Sequence, residues 1–246
     1  MAKTKIEYVD RTWNPITGCS PISEGCANCW AKRFSKRLAG RYGYDKENPF
    51  QITHHWEHRD DPLHWKKPQR IFICSMGDLF HEDIPHYTEW FGTGTIGKMT
   101  IASIIYIAMK CPQHTFFFLT KRATPMRWFF SWFSSVGEKV PENFWLGVSV
   151  ENQKRADERI SILLQIPAAK HFVSVEPMLG PVDLWPYLYS KETLDWVIAG
   201  PETGPKARPC NKKWVADLYK QCRAAGVPFW DKTDILGKNI KERPNG

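Results

Sequence analysis

Six short runs rich in β-branched and aromatic residues punctuate this chain, with helical stretches between them. The runs cover residues 70–76 (RIFICSM), 115–121 (TFFFLTK), 145–150 (WLGVSV), 171–177 (HFVSVEP), 196–200 (WVIAG) and 228–232 (PFWDK). They are apolar almost throughout rather than alternating, which predicts strands covered on both faces and hence a parallel sheet. A first strand is expected near residues 12–16. Helices are expected over about 26–39, 96–109, 125–136, 153–164 and 212–224. The fourth of these starts polar and then places Ile160, Leu163 and Leu164 at helical spacing.

Repeated strand–helix alternation leaves two architectures, a parallel barrel or a doubly wound sheet. The residues after the strands choose between them. Ser75 and Asp78, then Thr120, Lys121 and Arg122, then Ser149 and Glu151, then Glu176, Glu202, and Asp231 with Lys232 follow successive runs. A barrel builds its site from the carboxyl ends of many strands, whereas an open sheet concentrates its ligand at one switch point. The expected fold is therefore α/β, a partial or distorted parallel (β/α) barrel of about six to seven strands. With 246 residues and no repeat or linker, it reads as one domain over residues 1–246. An aromatic and Gly-rich insertion is expected around 86–99.

No apolar stretch approaches the roughly 18–20 residues of a membrane helix. The opening MAKTKIEYVDRTWNP lacks the apolar core of a secretory signal, so the expected location is cytoplasmic, with no membrane partner. The formal net charge of +8 favours a polyanionic partner. The 12 tryptophans are suited to packing or to base stacking.

Seven cysteines in such a chain argue against a disulfide framework. Cys74, Cys111, Cys210 and Cys222 are scattered, and Cys74, Cys111 and Cys222 read as small buried apolar residues. Cys19, Cys26 and Cys29 instead form a C-x6-C-x2-C cluster on one loop. Three thiolates can hold three irons of a [4Fe–4S] cluster and leave the fourth iron open. Gly18 and Gly25 permit close backbone approach there. Zinc is the competing metal. It usually takes four protein ligands in a structural site, and His54, His55 or Cys74 would have to supply the fourth.

The segment Gly25-Cys26-Ala27-Asn28-Cys29-Trp30-Ala31 resembles the cluster loop of the radical S-adenosylmethionine superfamily, especially its spore photoproduct lyase-like branch. Two features depart from that pattern: the first spacing is six residues rather than three, and Asn28 replaces the usual aromatic. The chain is also similar along its length to a phage- and prophage-associated three-cysteine family. The marks are TWNPITGC (12–19), SMGDLFHEDIP (75–85), QHTFFFLTKR (113–122), WLGVSVE (145–151), ADERI (156–160), VSVEPMLGPVDL (173–184) and WVIAGPETG (196–204).

The resemblance implies a [4Fe–4S] cluster on Cys19, Cys26 and Cys29 and S-adenosylmethionine as cofactor. It also implies a 5′-deoxyadenosyl radical as reagent and an electron donor such as flavodoxin or ferredoxin. Ser149 on a strand, with Glu158 and Arg159 on the next helix, resembles the group that faces the cofactor's carboxylate and ribose. Asp78 is placed like the acidic element for the methionine amino group, and Glu176 like a contact to ribose or substrate. Lys121 and Arg122, at a strand end, are candidates for phosphate contact, or for pairing with Glu176 or Glu202. The expected substrate is nucleic acid or a nucleotide, for base repair or modification, with an embedded base flipped out or already single-stranded. Two alternatives stay open: a non-catalytic, metal-stabilised nucleic-acid-binding protein, and a radical enzyme acting on a nucleotide or small metabolite.

Overall fold

The computed structural model describes residues 4–86 and 99–244. Most of the insertion expected around 86–99 lies outside these residues. Among the described residues, seven parallel strands form one sheet. They are β1 (Arg11–Trp13), β2 (Arg70–Ile73), β3 (Thr115–Thr120), β4 (Phe144–Val150), β5 (Lys170–Val175), β6 (Trp196–Ala199) and β7 (Phe229–Asp231). They lie side by side in chain order and the sheet curls into a half-barrel. That order never reverses, so the sheet has no switch point, and the expectation of a partial parallel barrel holds.

The helices are α1 (Trp30–Ser35), α2 (Ile101–Met109), α3 (Ala123–Ser135), α4 (Gln153–Leu163), α5 (Trp185–Leu188) and α6 (Lys212–Ala225). Two of them correct the sequence reading. The helix expected from Cys26 begins only at Trp30, because Glu24–Cys26 is a 3-10 turn and Cys29 caps α1 in a non-helical conformation. It ends at Ser35, short of Gly40 and Gly43, which adopt φ of 71° and 77°. The helix expected from residue 96 begins at Ile101. Thr100 accepts from the Ser103 N–H, and the Ser103 hydroxyl accepts from the Thr100 N–H, so the start is fixed by a reciprocal cap. A two-residue antiparallel pair, Ile16–Thr17 with Thr53–His54, and helix α5 were not legible in the pattern.

Side chains alternate across each strand, and here the two faces carry different chemistry. Ile71, Ile73, Phe116, Phe118, Leu146, Val148, Val173 and Val197 belong to the large core shared with Ile104, Phe130, Ile160, Leu163 and Leu218 of the covering helices. Phe72, Phe117, Trp145, Phe172, Trp196 and Trp230 form a separate aromatic cluster on the concave face. Tyr8 inserts among them, with its ring 5.5 Å from Trp196 and 6.1 Å from Trp230. The concave face thus has a closed aromatic floor at the amino ends of the strands. Above the floor the inward positions of β4 and β5 turn small, at Gly147 and Ser174. Gly147 follows Trp145 at the next inward position, and a Cβ there would lie 2.5 Å from the Phe172 ring.

Two buried histidines make stability pH-dependent. His114 Nδ1 accepts from the Gln69 N–H at 3.2 Å while its Nε2 faces the Pro62 carbonyl oxygen at 3.2 Å. His171 Nε2 faces the Ile166 carbonyl oxygen at 2.7 Å. Burial pushes the pKa of both below the ordinary value. The unfolded chain takes up protons as pH drops through about 6.5, before the folded one does, so these groups favour the fold above that pH and oppose it below. The urea midpoint of the apoprotein should therefore fall between pH 7.5 and pH 5.5, ahead of the carboxylate range. A midpoint that holds or rises over that interval contradicts the assignment.

Candidate functional site

The cysteine loop starts at a backbone crossing that only glycines permit. Gly18 donates its N–H to the Met76 carbonyl oxygen at 3.0 Å and has a φ of 93°. A Cβ at Gly18 would lie 2.0 Å from the Gln51 carbonyl oxygen, and one at Gly77 would lie 2.7 Å from that of Gly18. Immediately after this crossing, Cys19 donates its N–H to the Phe50 carbonyl oxygen at 3.1 Å. Cys19, Cys26 and Cys29 are free and half-buried. Cys19 and Cys29 pack on one apolar patch of Ala31, Phe50 and Met76, and Cys19 also senses the charge of Cys26. Among the described residues no three His, Cys, Asp or Glu side chains are gathered closely enough to hold a metal ion. The three thiols share a neighbourhood, and a common metal would have to draw them together.

Side chains from the carboxyl ends of the strands clamp this loop in place. Glu151, just after β4, is completely inaccessible. Its carboxylate accepts from the Ser23 hydroxyl at 2.8 Å and from Arg159 Nη1 at 3.0 Å, and Lys121 Nζ lies 3.4 Å away. Gly25 rests on the same carboxylate, and a Cβ there would lie 2.4 Å from Oε1. On the adjoining side Arg155 donates to Glu24 at 2.9 and 3.2 Å and holds its carboxyl down at about 2. Asn28 donates to Glu202 at 2.8 Å and to the Lys206 carbonyl oxygen at 3.0 Å. Glu202 is held down at about 2 by Arg208, which also reaches the Glu24 carbonyl oxygen at 3.0 Å.

Beneath Cys19 lies a buried cation. Arg122 Nη1 is 3.3 Å from the Cys19 Sγ, and its Nη2 donates to the Ser20 carbonyl and hydroxyl oxygens at 3.1 and 2.9 Å. The guanidinium is steered there by Glu82 at 2.6 Å and Asp78 at 3.4 Å. Asp78 is itself fixed by the Thr120 hydroxyl at 2.7 Å and the Phe80 N–H at 3.1 Å. Burial first, and then the charge of Asp78, push the Cys19 thiol up to about 12, with Arg122 opposing both.

The structure brings most of the expected residues to this mouth, in roles the sequence did not specify. Asp78 and Arg122 meet under Cys19. Arg159 reaches Ser149, but at its carbonyl oxygen, 2.6 Å away, and shares its charge with Glu151. Glu158 turns outward to Arg155 at 2.7 Å. Glu176 stands apart and pairs with Lys232. Phosphate contact by Arg122 does not fit its placement: the side chain is 4% exposed and its donors are engaged inside the protein. Lys121 pairs with Glu151, and neither it nor Arg122 pairs with Glu176 or Glu202. The candidate fourth zinc ligands are engaged elsewhere or buried. His55 Nε2 lies 2.8 Å from the Thr17 hydroxyl, His54 Nδ1 accepts from the Met99 N–H at 3.2 Å, and Cys74 is 4% exposed. The sequence reading passed over Ser23, Arg155 and Arg208; it noted Glu151 only as a polar strand end, and Glu202 as a strand end and a possible partner for Lys121 or Arg122.

Removing one partner of a buried ion pair strands the other charge, at a typical cost of about 3–5 kcal/mol, whereas rim pairs contribute about 1 kcal/mol or less. Glu151→Ala should therefore destabilise the apoprotein by several kcal/mol in urea titration, and Lys121→Ala by much less. A Glu151→Ala loss below about 1 kcal/mol would show that this carboxylate does not hold the loop.

The searches among curated proteins and among solved structures found no match to this chain. Residues 3–239 match a protein family described as "protein of unknown function (DUF5131)". That match runs through every strand and helix of the half-barrel and through the cysteine loop, and the chain belongs to this family.

Proposed function

We propose that Cys19, Cys26 and Cys29 hold a [4Fe–4S] cluster and that the protein is a radical S-adenosylmethionine enzyme acting on a nucleic-acid base. The observation that carries this reading is the loop itself: three free, half-buried thiols held over the carboxyl ends of a parallel half-barrel. The donor set suits iron–sulfur chemistry because three thiolates leave one iron open to a small ligand. When bound and reduced, such a cluster supplies one electron to S-adenosylmethionine, and this cofactor chemistry generates the 5′-deoxyadenosyl radical.

The protein's own residues then bind, neutralise and exclude water. Arg122 offsets negative charge at the Cys19 sulfur, where burial alone disfavours a thiolate. Glu151, Ser23 and Arg159 fix the height of the loop above β4. Ser149 takes an inward position on β4, where the reading places the bound cofactor, and Glu176, at the end of β5, stands on the substrate side. Asp78 and Arg159 support the site through their protein partners. The aromatic floor closes the far end to solvent. The net charge of +8 supports a nucleic-acid substrate, and a flavodoxin or ferredoxin would serve as electron donor.

Anaerobic reconstitution should give about four irons and four sulfides per chain. Alanine at Cys19, Cys26 or Cys29 should abolish the brown chromophore, while Cys222→Ala, inside the α6 core, should retain it. With dithionite and S-adenosylmethionine the parent protein should release 5′-deoxyadenosine. Stoichiometric zinc without iron uptake contradicts this reading and favours a non-catalytic binder.

A further inference from the structure

The concave wall carries a second polar group that the cysteine loop does not use. Inward positions rise along each strand in register. On β5 they run Phe172, Ser174 and then Glu176; on β6, Trp196, Ile198 and then Gly200; on β7, Trp230 and then Lys232. Lys232 Nζ donates to Glu176 Oε1 across Gly200, the residue between them in the sheet order. A Cβ on Gly200 would lie 3.2 Å from the Lys232 Cβ and 3.8 Å from the Glu176 Cδ, so the glycine keeps the gap above β6 clear. Below the pair, burial first and then the charge of Glu176 raise the pKa of the Tyr8 hydroxyl in the aromatic floor.

The pair differs from every other strand-end ion pair of the mouth. Glu151 is capped by Ser23, and Glu202 is shared by Asn28 and Arg208. Glu176 and Lys232 keep 19% and 26% of their side chains exposed, and among the described residues their side chains hydrogen-bond only to each other. Lys232 has three donors and a carboxylate about four acceptor sites, so both retain unused capacity. The outer edge of β7 is paired with the C-terminal segment around Ile240–Glu242, and Lys232 stands at the rim just beyond the strand.

We infer that Glu176 and Lys232 together bind the hydrogen-bonding edge of a nucleobase, a refinement that rests on the proposed action on a nucleic-acid base. The pair is neutral overall, so it gives no net attraction to phosphate, and the carboxylate repels one. It offers a charged acceptor beside a charged donor. A nucleobase edge presents the complement, an N–H next to a carbonyl oxygen or a ring nitrogen. Ser174 and Gly200 are buried beneath the pair, over Phe172, Trp196 and Trp230, so a base edge meets the pair at the rim.

Sign separates this site from an anion site. With reconstituted protein and S-adenosylmethionine present, the four deoxynucleosides are titrated by calorimetry. The tightest of them should lose at least about tenfold in affinity in both Glu176→Gln and Lys232→Met, since each variant removes one hydrogen bond to a charged group. Inorganic phosphate should not compete. The double variant, which leaves no unpaired charge, provides a folded control and should show the same loss.

Binding that tightens in Glu176→Gln, or that phosphate displaces, identifies an anion site and overturns the inference, as does a parent protein that binds no nucleoside. Iron content and 5′-deoxyadenosine release are measured on the same samples. If those fail while nucleoside binding behaves as described, the radical reading falls and the base site stands. If they succeed while neither variant weakens binding, the base site falls alone.

Discussion

One fully buried carboxylate holds the cysteine loop to the half-barrel. Glu151 sits at the end of β4 with no access to water, and an isolated charge there would be prohibitively costly. Arg159 from α4 and Lys121 from the end of β3 make it tolerable, and Ser23 from the loop completes its hydrogen bonding. Because Gly25 lies directly on Glu151, the loop can approach only with glycine at that position. The height of Cys26 above the mouth thus follows from an interaction between two strands, a helix and the loop.

The rest of the mouth extends the same logic outward. Polar residues follow the strands of the half-barrel within a few positions. Those nearest the loop are paired to it: Asp78 through Arg122, Glu151 through Ser23, and Glu202 through Asn28. The concave face is layered, with aromatic rings at the floor, Gly147, Ser174 and Ile198 at mid-height and charges at the rim. A floor of interlocked rings is rigid, because tilted and edge-to-face contacts at 4.9–6.4 Å fix each ring against several others. This packing excludes water from the concave face below the rim.

The strands and their order were legible because apolar runs of five to seven residues between helical stretches have few other solutions, and every expected strand lies within a residue or a few of an observed one. The half-barrel followed from polar residues at the strand ends. The partners of those residues were not legible. Arg122 looked available to phosphate because it follows a strand in a basic triplet, yet its neighbours in space, Glu82 and Cys19, come from loops 40 and 103 residues away in the chain. Asn28 looked like a lost aromatic and is instead an anchor to Glu202. The short α1 shows the same limit, since the turn at Glu24–Cys26 is shaped by contacts with β4, α4 and Arg208 and not by local propensity.

The central claim is that the three-cysteine loop presents an open iron to S-adenosylmethionine at the mouth of the half-barrel. Electron paramagnetic resonance of the dithionite-reduced, reconstituted protein tests it most directly, because a ligand on the open iron changes the cluster's own signal whatever the substrate. The account expects a reduced [4Fe–4S] signal whose line shape changes on addition of S-adenosylmethionine. An identical spectrum with and without S-adenosylmethionine would contradict it.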